Sequence, residues 1–117
     1  MQINNLTKEE QNSFLDNSKY NISKIELFEQ IQHKCPLGEQ VGITSYEITV
    51  IPGKKLAELV RLHWDIQEMV GKVFTLESGL NEILQIVKKH YTDAVKVTIT
   101  ASCPTNRHMA GKFTIEG

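Results

Sequence analysis

The chain has 117 residues, of which 40% are apolar, and a formal net charge of -1 at pH 7; this is the size and composition of one globular domain. The near-zero charge argues against a dedicated nucleic-acid-binding domain, because such domains usually carry a basic face; tRNA stays open as a partner. Residues 1–20 lack the apolar core of a signal peptide, and no segment is apolar over the length of a membrane span, so we expect a cytoplasmic protein that has no membrane partner.

The sequence contains two cysteines, Cys35 and Cys103. In the cytoplasm both are expected to be reduced thiols. His33 stands two residues before Cys35, but the two cysteines lack the closely spaced sets of ligands that zinc sites show along a sequence. The sequence therefore predicts no metal site.

The first 21 residues are polar and lack a strong period, which indicates an N-terminal arm with room for a short helix near residues 8–15. Residues 22–117 contain no internal repeat and no low-complexity linker. They are expected to form a single domain.

Two segments with alternating apolar residues follow the arm. In residues 24–31 the apolar positions recur at every second residue, as in a half-buried strand. Glu29 falls among these positions, so a helix is the competing interpretation. A loop that contains Pro and two Gly leads to a second strand at residues 43–51, which Pro52 and Gly53 end.

The period then changes to that of a helix over residues 54–70. Gly71 is positioned to end this helix, and Thr75 to cap a second one that has three basic residues in its last turn. The apolar stripes are expected to be Leu56, Leu59, Val60, His63, Ile66 and Val70 in the first helix, and Leu80, Ile83, Leu84, Val87 and Tyr91 in the second.

Residues 95–101 have the clearest strand pattern, with apolar residues on one face and polar residues on the other. A loop at residues 102–111 and a short strand at residues 112–116 follow. Two hairpins around a pair of helices predict an α+β fold, in which an antiparallel sheet carries both helices on one face.

The stretch CPLGEQVGITSYEITVIP, residues 35–52, joins a Cys-Pro pair to a strand that ends in Ile-Pro. It resembles the start of the core of the nitrile reductases that act on 7-cyano-7-deazaguanine, the QueF-like family of the tunnelling-fold (T-fold) superfamily. The resemblance covers residues 33–117 and is densest at residues 35–83. Further positions match this family in the same register without a gap: Gln40, Ile48, Glu58, Leu62, Glu77, Asn81 and Ile83.

The segment VFTLESGLNEIL, residues 73–84, and the final residues 95–117 are also similar to dihydroneopterin aldolases and pyruvoyl-tetrahydropterin synthases. These families share the T-fold, whose order of elements is the order predicted above. The resemblance implies a ββααββ T-fold that binds a flat purine-like or pterin-like ligand. It also implies a homo-oligomer with sites at the subunit interfaces.

The resemblance gives Glu77 the role of anchoring the base. A guanine-like or pterin-like base presents an amino group and a ring N–H side by side, and one carboxylate can accept both hydrogen bonds. The alternative is that Glu77 only complements the N-terminus of a helix. Glu58 matches the first position of the family's Glu-Ser-Lys-Ser-Leu motif and is expected to bind substrate.

Cys35 matches the cysteine that attacks the nitrile and forms a thioimide. This reaction needs a thiolate, which a neighbouring group or loop amides can stabilise. A small buried residue at the end of a strand is the alternative role for Cys35.

The sequence departs from the family at the catalytic acid. Gly42 stands seven residues after the cysteine, where the family has Asp, and Glu39 is the nearest carboxylate that could act as the acid instead. Residues 59–61 read Leu-Val-Arg where the cofactor motif has Ser-Lys-Ser. We therefore expect no cofactor and no NADPH-dependent reduction.

The loop near the C-terminus also departs from the family. Arg107 and His108 stand near the position of an Arg-Gly-Gly sequence. Both are assigned to substrate binding, with Arg107 meeting a phosphate or carboxylate; an exposed surface arginine is the alternative.

Two functions follow from these matches and departures. An enzyme would form a thioimide between Cys35 and 7-cyano-7-deazaguanine or a related nitrile, and ammonia or water would complete the reaction. A binding protein would keep the base pocket at Glu77 and sequester or sense a purine, a pterin or a nucleotide. A pterin enzyme of the dihydroneopterin aldolase type and a structural oligomer without a ligand are further alternatives.

Overall fold

Four strands form one antiparallel sheet, and their order in space, β1-β2-β3-β4, is their order in the chain. The computed structural model describes residues 7–36, 41–103 and 111–117. The helices between the two hairpins pack on the sheet, which confirms the expected α+β class and ββααββ order. The strands are β1 (Ile25–Lys34), β2 (Val41–Ile51), β3 (Lys96–Cys103) and β4 (Gly111–Glu116), and the helices are α1 (Lys8–Phe14), α2 (Leu59–Gln67) and α3 (Leu76–His90).

Residues on one face of the sheet are buried because α2 and α3 cover that face. The buried positions alternate along each inner strand, as strand geometry requires. Tyr46, Ile48 and Val50 of β2 and Val97, Ile99 and Ala101 of β3 are all at most 1% exposed. Residues 24–31 and 95–101 were expected to form strands and do so, but Val95 lies before β3 begins and is 76% exposed. Its assignment to the buried face was wrong.

Helix α3 begins and packs as the sequence predicts. Thr75 accepts a hydrogen bond from the backbone N–H of Ser78, and the Ser78 side chain bonds back to Thr75, so the first turn is capped reciprocally. The five residues of the predicted apolar stripe are all buried. None of the helices in the described ranges combines the length and the apolar character that a membrane span requires.

Helix α2 is shorter than expected and presents a different face to the core. It begins at Leu59 because the Glu58 carboxylate accepts hydrogen bonds from the backbone N–H groups of Val60 and Arg61. The predicted stripe counted residues 54–58 as helical and chose a neighbouring row of apolar residues as the buried one. Leu62, Ile66 and then Met69 are buried, whereas Leu59 and Val60, which were expected inside, are 49% and 60% exposed.

The N-terminal segment is attached to the connection between β2 and α2. The Asn17 side chain donates to the carbonyl groups of Ile22 and Gly53, both at 3.0 Å, and the Asn17 backbone N–H donates to the carbonyl of Lys54 at 2.8 Å. Asn17 is buried, which is tolerated because its amide is hydrogen-bonded. The short helix expected near residues 8–15 is present as α1, and the division between arm and domain at residue 21 stays a prediction.

Candidate functional site

The end of β1 is joined to the chain that enters α3. The Lys34 backbone N–H donates to the carbonyl of Lys72 at 3.0 Å, and the Phe74 N–H donates to the carbonyl of Lys34 at 3.1 Å. Lys34 and Val73 thereby form a parallel bridge. Gly71 makes the turn before this bridge, with a positive φ of 79° that favours glycine. This bridge brings the two predicted site segments, which lie some forty residues apart in the sequence, to one end of the sheet.

Cys35 directly follows β1 at this bridge. It is a free, half-buried thiol, and it lines a cleft of about 430 Å³ together with Lys34, Pro36 and Val73. The thiol therefore lies at a cleft that a lysine also lines. The second cysteine, Cys103, is also free and half-buried, at the end of β3.

Glu77 is the second residue of α3 and is exposed. Thr75 and Ser78 make the capping hydrogen bonds of this turn, so the cap does not depend on the Glu77 carboxylate. The carboxylate lies where the helix dipole favours a negative charge. The structure thus brings the segments of Cys35 and Glu77 together, since Phe74, three residues before Glu77, bonds to the residue before Cys35.

Of the other residues expected at the site, one caps a helix and the rest lie outside the described residues. Glu58 uses both carboxylate oxygens to cap α2, at 3.0 Å from the Val60 nitrogen and 2.8 Å from the Arg61 nitrogen; a role for it in substrate binding stays a prediction. Glu39 lies outside the described residues, and so do Arg107 and His108.

A buried polar cluster lies next to the bridge and was not recognised in the sequence. We define it as His33, Thr44, Tyr46 and Phe74. His33 Nε2 lies 2.8 Å from Thr44 Oγ1, and the imidazole stacks on the Phe74 ring with centroids 4.1 Å apart and planes inclined by 13°. His33 falls on the buried parity of β1 with Ile31, which was the available sequence signal.

Two atoms of this cluster are buried and meet no hydrogen-bond partner among the described residues: His33 Nδ1 and Tyr46 Oη. Burial raises the pKa of Tyr46 to about 12; the Thr44 side chain opposes this rise, and Cys103 adds a smaller one. Thr44 is therefore near the phenol, but among the described residues its hydroxyl meets hydrogen-bond geometry with His33 and not with Tyr46. Unpartnered buried polar atoms are rare in folded proteins and mark a position for a ligand, a water or a reacting group.

A second polar cluster connects the middle of β1 to α2. Glu29 Oε1 lies 2.6 Å from His63 Nδ1, and the Gln67 side-chain amide donates to Glu29 Oε2 at 2.8 Å. These contacts explain how β1 accommodates a carboxylate that is 12% exposed on its helix-covered face. His63, which was expected on the apolar stripe of the first helix, has a side chain that is 52% exposed.

No group of three metal-binding side chains occurs in the part of the chain that the structure describes. No protein-family model matches the sequence, and no curated protein matches it significantly. The apo crystal structure of the archaeosine synthase QueF-Like matches with a TM-score of 0.73 and 16% sequence identity, over 81% of this chain and 93% of that chain. The chain has the T-fold.

A second solved T-fold structure agrees. A putative dihydroneopterin aldolase, FolB, from Vibrio cholerae matches with a TM-score of 0.64 and 8% identity, over 82% of this chain and 98% of that chain. Identities this low carry the fold and not the ligand.

Proposed function

We propose that this T-fold protein binds a flat purine-like base of the 7-deazaguanine type and that Cys35 adds to a nitrile on that base. The observation that carries the proposal is the Lys34–Val73 bridge, because it brings the segment of the candidate nucleophile to the segment of the candidate base anchor. The structural likeness to an archaeosine synthase supports it at the level of the fold.

In this proposal Glu77 recognises the base. Its carboxylate is exposed and is not needed for the helix cap, so both oxygens are available to accept the amino N–H and the ring N–H of a guanine-like edge. Charge-assisted hydrogen bonds of this kind are about twice as strong as neutral ones. The dipole of α3 stabilises the negative charge of Glu77, but the hydrogen bonds from the base are accepted by the carboxylate itself.

In the same proposal Cys35 supplies the covalent step. The S–H bond breaks, sulfur bonds to the nitrile carbon, one π bond of the nitrile opens, and the proton is transferred to the nitrile nitrogen to give a thioimide. Ammonia then releases an amidine, or water releases an amide, and the thiol is regenerated. Neither route changes an oxidation state, which fits a site that does not use NADPH.

We further propose a homo-oligomer with sites at the subunit interfaces. β1 and β4 are the outer strands of the sheet, and open sheet edges are templates for pairing with another chain. Each carries an exposed aromatic residue, Phe28 at 68% and Phe113 at 45%. Light scattering of the purified protein tests this directly, and a monomer at micromolar concentration would contradict it.

A non-catalytic base-binding protein is the second candidate. It is favoured by Gly42, which provides no acid at the position where the nitrile reductases carry one; a Cβ built there meets no described atom within 4 Å. In that case Glu77 would hold a purine, pterin or nucleotide, and Cys35 would not react.

Intact-protein mass spectrometry after incubation with 7-cyano-7-deazaguanine separates these candidates. The enzyme proposal predicts an adduct of the ligand's mass on the wild type and on Cys103→Ala, and none on Cys35→Ala.

Calorimetric measurement of ligand binding by Glu77→Ala tests whether Glu77 anchors the base, and Glu82→Ala on the same helix is the matched control. Binding without an adduct favours the non-catalytic protein. An adduct on Cys103, or unchanged affinity in Glu77→Ala, contradicts the assignments; turnover of a dihydropterin would instead indicate the aldolase alternative.

A further inference from the structure

We propose that the buried stack of His33 on Phe74 is a positioning pair, which holds the segment of Cys35 against the segment of Glu77. The inference rests on the proposed function for the roles of Cys35 and Glu77, but the stack itself is a property of this chain. His33 stands two residues before Cys35, and Phe74 stands three residues before Glu77. The two rings are assigned to holding the site and not to the chemical step.

The backbone connection between the two segments is open to water. It consists of hydrogen bonds from the N–H of Gly71 to the carbonyl of Gln32 at 2.7 Å, from Lys34 to Lys72 at 3.0 Å, and from Phe74 to Lys34 at 3.1 Å. All of these residues except Phe74 are exposed. Because backbone hydrogen bonds at exposed positions open readily, we expect this connection to need support from side chains.

The stack of His33 on Phe74 provides that support from the buried side. His33 is 8% exposed, and its ring lies within 13° of parallel to the Phe74 ring, with centroids 4.1 Å apart. Contacts between aromatic rings stabilise a fold beyond the area that they bury. Because Cys35 directly follows β1 and Phe74 leads into α3, separating the two rings would allow the end of β1 and the start of α3 to move apart.

Each ring of the stack is also held by a neighbouring element. His33 Nε2 lies 2.8 Å from the hydroxyl of Thr44, a residue of β2 that is 1% exposed. A Cβ atom at position 79 would lie 2.8 Å from the Phe74 ring, so this ring packs closely against the backbone of α3 at Gly79. The stack therefore connects β2 to α3 through side chains that have little freedom to move. Such fixed supporting contacts hold the residues of a site more precisely than a loop does alone.

Amide hydrogen exchange measured by NMR tests the stack without any ligand. His33→Leu and His33→Phe are a matched pair, because both lose the contact with Thr44 and only the phenylalanine can stack on Phe74. In His33→Leu the amides of Lys34 and Phe74 are expected to exchange about twofold to tenfold faster than in His33→Phe. The amide of Ile99 in β3 is the internal reference, because unfolding of the whole domain would speed its exchange as well.

Phe74→Leu removes the other ring and gives an independent test. Phe74 is only half-buried, so this variant decides alone if the His33 variants do not fold. The amide of Lys34 is expected to exchange faster than in the wild type when both are measured relative to Ile99. Equal exchange in His33→Leu and His33→Phe, or unchanged exchange at Lys34 in Phe74→Leu, overturns the inference.

The rate of adduct formation with 7-cyano-7-deazaguanine separates the positioning role from the proposed function. At saturating ligand, His33→Leu is expected to react about tenfold more slowly or less, because small displacements of reacting groups are costly, whereas His33→Phe keeps most of the rate. Faster amide exchange with an adduct that forms at the wild-type rate in His33→Leu would reject the positioning role and retain the nitrile substrate. Faster exchange with no adduct on the wild type would retain the stack as the support of this junction and reject the nitrile substrate.

Discussion

A Cβ atom at position 79 would lie 2.8 Å from the Tyr46 hydroxyl and 2.8 Å from the Phe74 ring. Gly79 therefore allows α3 to approach the sheet closely at the turn that follows Glu77. Because the aromatic rings are packed against His33 and the core, they have little room to move. The close approach joins the first turn of α3 to the buried polar cluster.

Gly79→Ala is expected to destabilise the protein, although alanine is the better helix former. The overpacking costs about 1–3 kcal/mol, and the gain in helix propensity of about 1 kcal/mol offsets part of it. Urea denaturation measures the difference. Gly42→Ala, where no described atom lies within 4 Å of the new Cβ, is the matched control and is expected to be neutral or slightly stabilising. A Gly79→Ala protein more stable than the wild type would contradict this packing.

Tyr46→Phe is expected to stabilise the protein by about 1 kcal/mol at pH 7, because it removes a buried hydroxyl that has no hydrogen-bond partner among the described residues. Its effect grows at high pH. Burial raises the folded-state pKa of Tyr46 from its ordinary value of 10 to about 12, so the unfolded chain loses the phenol proton first. The protonation of Tyr46 therefore leaves the free energy of unfolding unchanged below pH 10. As the pH rises from 10 to 12, this free energy falls by at most about 1.4 kcal/mol per pH unit.

Denaturation at pH 8, 10 and 11 checks both parts of the Tyr46 prediction. The wild type is expected to lose stability more steeply than Tyr46→Phe above pH 10, since only the wild type carries the phenol. If stability fell equally steeply with pH in both proteins, the Tyr46 hydroxyl would ionise as readily in the folded protein as in the unfolded chain. A marked loss of stability in Tyr46→Phe at pH 7 would mean that the hydroxyl is hydrogen-bonded in solution.

Glu58→Ala is expected to lower stability by about 1 kcal/mol, because it removes a helix cap that satisfies two backbone N–H groups. Glu77→Ala is the comparison, since Thr75 caps that helix and the loss there is only about 0.5 kcal/mol from the dipole. Thermal denaturation of both variants measures the two values. If Glu58→Ala left the stability unchanged, Glu58 would not be needed as a helix cap, and this would strengthen the case that it binds substrate.

Gly42→Asp is expected to speed formation of the thioimide, because it places an acid across the strand pair from His33 in space that no described residue fills. General acid–base groups contribute about 100-fold or more when well placed, so an increase of about tenfold is expected from an unoptimised one. The initial rate of adduct formation by mass spectrometry is the measurement. Gly42→Asn, which has the same shape without the acid, is the control; equal rates for the two variants would show that no additional acid is needed.

Local patterns were sufficient for much of the fold. The strands at 24–31 and 95–101 and the stripe of α3 were predicted because burial on one face imposes periods of 2 and 3.6 on apolar residues. The same reasoning failed for α2. There apolar residues occur on more than one face of the helix, and the predicted stripe placed Leu59 and Val60 inside although both are exposed.

The sequence by itself determined which residues could carry chemistry, since Cys35 and Glu77 stand out by type and by register with a known family. Only the tertiary structure decided that their segments meet, through the backbone bridge between Lys34 and Val73. It also showed that the buried imidazole of His33 has a partner for one ring nitrogen and, among the described residues, none for the other. Sequence patterns report which side of an element is buried, whereas hydrogen-bond partners across distant segments depend on the packing of the whole chain.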